Sequence, residues 1–164
     1  MDRRRVLAGA GALALAGAAR PAVAEPDHPA AAAATADPAP LVPTAHYQDA
    51  LAKIVGNGSP IEGRMTLELP EDAENGNIVP YKIGVESPMT DADHVARIHL
   101  LSTQNPQPLV ATFRFTPLSG KAAVSGRMRL AKTQDVVAVA LTSDNTLLIA
   151  RTTVNVGIGG CGAE

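Results

Sequence analysis

Apolar residues change their spacing once along this chain, and the change divides it. Over residues 44–55, TAHYQDALAKIV, Tyr47, Ala50, Leu51 and Ile54 fall at i, i+3, i+4 and i+7. That spacing makes one helical face, and the stripe predicts a helix packed on the body of the protein. Thr44 can cap its first turn, and Gly56 can end it in the left-handed conformation.

From residue 58 onward the period falls to two. Met65, Leu67 and Leu69 alternate with Arg64, Thr66 and Glu68, and Tyr81, Ile83 and Val85 alternate with Lys82, Gly84 and Glu86. Residues 95–102 and 109–116 continue the pattern, the latter with Ala111, Phe113 and Phe115 opposite Thr112, Arg114 and Thr116. Residues 121–131 set Val124, Met128 and Leu130 against Ser125, Arg127 and Arg129. Residues 135–142 are nearly all apolar, as a central strand would be, and residues 147–158 form the last strand. Turn signals separate these runs: Glu74-Asn75-Gly76-Asn77, Ser87-Pro88, Asn105-Pro106, Pro117 to Gly120 and Ser143-Asp144-Asn145. About seven short strands at this spacing predict an all-β, antiparallel sandwich with one N-terminal helix. No helices of 10–15 residues intervene, which disfavours a parallel α/β sheet.

The chain ahead of the helix has a different character. Residues 1–24 place Arg3-Arg4-Arg5 before an apolar run from Val6 to Ala19, and end in Ala22-Val23-Ala24. About 14 apolar residues are too few to span a membrane but suit an export signal, so cleavage is expected before Glu25. Arg3-Arg4-Arg5-Val6-Leu7 resembles the twin-arginine pattern, and the run is rich in Ala and Gly. Residues 25–43 hold five prolines and many alanines, the composition of a linker. The folded domain is then expected over residues 44–158, followed by a short arm of residues 159–164.

Charge and composition narrow the function. Apolar residues make up 46% of the 164 and charged residues 18%, so a packed core is expected. With two Tyr, two Phe and no Trp, that core must be built from Val, Ile, Leu and Ala. Scarce aromatics also argue against stacking on single-stranded nucleic acid. Residues 1–24 carry four arginines and one aspartate, so their removal leaves 10 basic and 15 acidic residues. A net charge of −5 without a basic stripe makes nucleic acid a poor partner.

Most candidate chemistry has a plain explanation. His94 and His99 are five apart, on opposite faces of a strand, His46 lies on the helix and His28 in the linker. No pair has metal-ligand spacing, so no metal is expected. Glu71, Asp72 and Glu74, and likewise Asp91 and Asp93, fall in predicted loops and read as solvated turn residues. No nucleophile elbow, phosphate-binding loop or dinucleotide fingerprint occurs, and no cofactor is expected.

The tail is different. It reads Val156-Gly157-Ile158-Gly159-Gly160-Cys161-Gly162-Ala163-Glu164, with the only cysteine between glycines three residues from the end. Glycine adds backbone freedom and no bulk, so Cys161 is expected exposed on a flexible arm with Gly159, Gly160 and Gly162. An extended backbone from Gly157 to Cys161 would reach about 17 Å. An unpaired thiol is a liability in an exported protein, which suggests that it has a use. A catalytic nucleophile needs a fixed base, and a cysteine on such an arm has none. It is suited instead to presentation to the active sites of other proteins, as a covalent carrier. Two other readings stay open. One is an interaction module cross-linked through Cys161; the other is a thiol oxidoreductase, which would lack a second cysteine to resolve a mixed disulfide.

Over Tyr47 to Gly162 the sequence resembles the SoxY family, the cysteine-bearing subunits of the SoxYZ carrier in periplasmic thiosulfate oxidation. The resemblance rests on Ala73-Glu74-Asn75-Gly76, Val85-Glu86-Ser87-Pro88-Met89-Thr90, Ile98-His99-Leu100, Ala111-Thr112-Phe113, Phe115-Thr116-Pro117, Ser119-Gly120 and, most specifically, Gly159-Gly160-Cys161-Gly162. It implies an immunoglobulin-like sandwich paired with a second sandwich subunit, SoxZ. It implies Cys161 as the attachment site for thiosulfate, joined oxidatively by a c-type cytochrome, SoxAX. A hydrolase, SoxB, would release the sulfone as sulfate, and SoxCD would oxidise the remaining sulfane sulfur. The family's tail closes Gly-Gly-Cys-Gly-Gly; here Ala163 and Glu164 follow Gly162, adding bulk and a negative charge.

Overall fold

The structure is a computed structural model that describes residues 41–160. The expected export signal of residues 1–24, most of the linker, and Cys161 and Gly162 lie outside the described residues.

One helix, α1 (Ala45–Val55), and eight strands make up the described chain. The strands are β1 (Met65–Glu68), β2 (Asp72–Asn75), β3 (Val79–Val85), β4 (Val95–Ser102), β5 (Leu109–Arg114), β6 (Ala122–Met128), β7 (Gln134–Thr142) and β8 (Leu147–Ile158). They form two sheets. The smaller has the order β1-β3-β6, the larger β2-β8-β7-β4-β5. The expected immunoglobulin-like sandwich is present, with eight strands where about seven were predicted.

The inner faces of the two sheets meet in one apolar core. Alternation along β3 sends Val79, Tyr81, Ile83 and Val85 inward and Pro80 and Lys82 outward. Opposite them stand Ile98 and Leu100 of β4 and Val136, Ala138 and Ala140 of β7. The other face of the large sheet is covered by α1. Tyr47, buried at the start of the helix, packs with Leu101, Val137, Val139 and Leu147, and Ala50, Leu51 and Ile54 join them. The continuous apolar run of β7 has this cause: alternate residues serve the sandwich core and the helix interface, and Val136 to Ala140 are all fully buried. The helix is bounded by the predicted residues, although Gly56, with ψ −128°, does not take the left-handed helical conformation. The Thr44 hydroxyl accepts from the Tyr47 N–H, and Gly56 takes a positive φ of 58° while donating to Ala52 O.

The extra strand is β2, over residues read from sequence as a solvated loop. Asp72, Ala73 and Asn75 pair with Asn155, Val156 and Ile158 of β8, and the pairing is parallel. The sandwich is therefore not wholly antiparallel. Asp72–Asn75 contains no β-branched or aromatic residue, and only Ala73 is buried. Its extended form follows from the free edge of β8 and not from local preference.

A buried polar pair ties the loop after β4 to the segment before β7. Gln134 is fully buried and Asn105 nearly so. The Asn105 amide oxygen accepts from Gln134 Nε2 at 2.8 Å and from the Ala131 N–H at 2.9 Å, while its Nδ2 donates to Arg129 O at 2.8 Å. Gln134 Oε1 accepts from the Gln104 N–H at 2.8 Å. Such groups cost most when one partner is removed. Gln134→Leu is thus expected to lower unfolding stability by about 1–3 kcal/mol. Lys121→Gln, on the exposed surface, should change it by less than about 0.5 kcal/mol. Equal urea midpoints for the two variants would show that the pair contributes nothing.

Candidate functional site

Strand β8 carries the chain to the cysteine. It pairs antiparallel with β7 from Leu147 to Val154, then runs past the start of β7 and is held from its other side by β2. The Val156 N–H donates to Thr133 Oγ1 at 2.9 Å, and Ile158 O accepts from the Gly76 N–H at 2.8 Å. Two residues further on, the Gly160 N–H donates to Leu130 O at 2.8 Å. The chain is thus attached to the body as far as the residue bonded to Cys161.

This bears on one of the glycines expected to lie in a free arm. Gly159 follows the end of β8, and Gly160 is half-buried and tethered. A Cβ on Gly160 would lie 2.3 Å from Gly76 C and 2.4 Å from Asn77 N, so no other residue fits there without displacing backbone. The absence of a side chain serves close approach at this position. With Gly160 tethered, the 17 Å reach cannot be counted from Gly157. Cys161 and Gly162 themselves lie outside the described residues.

Other sequence candidates stand apart from this point. His46 is exposed on α1. His94 Nδ1 lies 3.0 Å from Thr90 O, and His99 Nδ1 lies 2.9 Å from Thr112 Oγ1. No cluster of metal-ligating side chains occurs among the described residues. Asp91 and Asp93 flank a turn in which the Asp93 N–H donates to Thr90 Oγ1. Asp72 and Glu74, with Thr133 and Asn155, line an open groove beside the lower half of β8. Asp72 accepts from Asn155 Nδ2 at 3.0 Å, a contact that holds β2 to β8. Sequence reading missed Gly76 and Leu130 as partners of the tail. By residue type alone Asn75-Gly76 signals a turn and no contact with the tail.

The described residues define an immunoglobulin-like two-sheet sandwich whose last strand is followed, two residues on, by an anchored glycine that precedes the lone cysteine in sequence. The family model for sulfur oxidation protein SoxY matches residues 51–161, a span that includes Cys161. The chain therefore belongs to the SoxY family. It is 33% identical to the sulfur carrier protein SoxY from Chlorobium limicola f thiosulfatophilum, with a TM-score of 0.57 over 68% of this chain and 96% of that one. Two superoxide reductase (neelaredoxin) structures from Ignicoccus hospitalis share the fold alone. One is 19% identical, with a TM-score of 0.52 over 57% of this chain and 80% of its own. The other is 20% identical, with a TM-score of 0.51 over 56% and 78%. No curated protein matches the chain.

His99 gives the described domain a pH signature. Burial, and then the nearby Arg97 guanidinium, hold its imidazole below the usual histidine pKa. The folded state therefore prefers neutral His99, and the unfolded chain takes up the proton first. Its contribution is complete above the unfolded value near pH 6.5 and declines as pH falls through that value towards the lower folded one. The difference in stability between wild type and His99→Gln should shift in wild type's favour from pH 5 to pH 7.5. A difference that stays constant across that range would remove His99 from the pH response.

Proposed function

We propose that this protein is a covalent sulfur carrier in periplasmic thiosulfate oxidation, and that Cys161 holds the cargo. One observation carries the reading: the family match runs through a lone cysteine that directly follows Gly160, the anchored residue two places beyond β8. The protein itself supplies the thiol and the platform; partner enzymes supply the chemistry.

Loading joins the Cys161 sulfur to the outer sulfur of thiosulfate. The thiol proton is released and two electrons pass to a SoxAX-like c-type cytochrome, leaving a thiosulfonate on the carrier. A SoxB-like hydrolase adds water across the bond between sulfane and sulfone sulfur. Sulfate leaves and a persulfide remains on Cys161. A SoxCD-like enzyme then oxidises that outer sulfur with oxygen from three waters, and six electrons depart. A second hydrolysis restores the thiol. A SoxZ-like sandwich is the standing partner in this scheme. The twin-arginine-type signal of residues 1–24 would export the chain to the periplasm already folded, which allows the pair to cross together. Ala163 and Glu164 put bulk and charge where the family has glycine, and act on docking to partner channels.

Serine keeps the shape of cysteine but cannot form a sulfur–sulfur bond with the cargo. Cys161→Ser is accordingly expected to abolish thiosulfate-dependent cytochrome reduction in a reconstituted system. Because residue 161 follows the last strand, stability should change by less than about 0.5 kcal/mol. Mass spectrometry of wild-type protein from thiosulfate-grown cells should find thiosulfonate or sulfane additions on Cys161. Turnover retained by the serine variant would rule out the carrier. A protein–protein disulfide as the sole modification would favour a cross-linking module instead.

A further inference from the structure

Three backbone segments meet where β8 ends. The Leu130 N–H donates to Gly76 O, and Leu130 O accepts from the Gly160 N–H, both at 2.8 Å. The Gly76 N–H donates in turn to Ile158 O. Both backbone groups of Leu130 are therefore spent on holding the turn after β2 and the end of the tail. The two glycines face each other so closely that neither tolerates a side chain. A Cβ on Gly76 would lie 2.3 Å from Leu130 O and 3.0 Å from Gly160 N. On Gly160 it would lie 2.3 Å from Gly76 C.

The anchor itself is rigid. The Leu130 side chain is fully buried in the sandwich core. Its two neighbours are fixed by one buried amide: Asn105 donates to Arg129 O and accepts from the Ala131 N–H. Gln134 holds that amide in place, donating to Asn105 Oδ1 and to Lys132 O. Buried, mutually satisfied amides of this kind fix geometry more than they add stability.

We propose that Gly76, Leu130 and Gly160 form a backbone clasp that fixes where the cysteine-bearing tail leaves the sandwich, with Asn105 and Gln134 as its positioning residues. The biological sense of the clasp rests on the reading of Cys161 as the attachment site. With the clasp closed, the tail departs from a fixed point, the Cα of Gly160. With it open, the last held residue is Ile158, and the point of departure moves by as much as about 7 Å along an extended backbone.

The test uses the mature chain, residues 25–164. Amide exchange followed by NMR should show the wild-type Gly160 N–H exchanging at least about tenfold more slowly than an unstructured peptide. Exchange at the unstructured rate would overturn the clasp. A nitroxide attached to Cys161 supplies the second readout. Gly76→Ala should speed Gly160 exchange at least about tenfold, leave the Val154 amide protected, and sharpen the nitroxide spectrum. Two glycines inserted between Gly160 and Cys161 should sharpen the spectrum while Gly160 stays protected. Identical spectra in all three proteins would show that the clasp does not set the exit of the tail. Should Gly76→Ala fail to fold, wild-type exchange and the insertion variant decide the question. None of these measurements involves thiosulfate or its loading, so the carrier reading can fail in the Cys161→Ser assay while the clasp stands.

Discussion

Burial of β7 on both faces is the constraint on which the rest of the structure depends. A strand in the middle of a sheet with an uncovered face must show polar residues to water. Residues 136–140 of this chain are all apolar, so both sides must be covered. The small sheet covers one side and α1 the other. The helix is thus part of the core. Its apolar face and the outward residues of β7 account for each other. The neighbours of β7 follow from the same demand. Strands β4 and β8 flank it along most of its length and satisfy its backbone, so the strand meets no solvent laterally either.

The polar groups near the start of β7 extend this order to the end of the molecule where the tail departs. Asn105 and Gln134 sit where a loop and a strand enter the core, and apart from the bond between them each hydrogen bond they make is to backbone. Thr103 and Asp135 reinforce the same junction. The Asp135 N–H donates to Thr103 Oγ1, and the Thr103 N–H donates to Asp135 O. The segment from Arg129 to Asp135 is consequently a firm wall against which β8 and its last glycine rest.

What the sequence disclosed and what it concealed divide along the line between local and distant interactions. The helix could be read to its caps because Thr44 and Gly56 act within one turn of the chain. Strands β4 and β8 match the ranges read from alternation alone, since each carries its own pattern. Strand β2 was hidden because Asp72-Ala73-Glu74-Asn75 is extended only by virtue of a partner about 80 residues away. The tail divides in the same way. A single cysteine between glycines is visible in the composition. The meeting of Gly76, Leu130 and Gly160 is not, because glycine in a sequence signals freedom whether a fold uses it for motion or for close contact.

Strand β8 is last in the described chain but interior in its sheet, lying between β2 and β7. Such an order makes folding wait on synthesis. Until β8 has emerged from the ribosome, β7 lacks a neighbour, β2 has nothing to pair with and the Ile61 bridge to Leu148 cannot form. The pairings of β2 and Ile61 with β8 span long stretches of chain, and such contacts form late and slowly. A chain cut or stalled anywhere before β8 therefore carries neither a finished large sheet nor the cysteine that follows it in sequence.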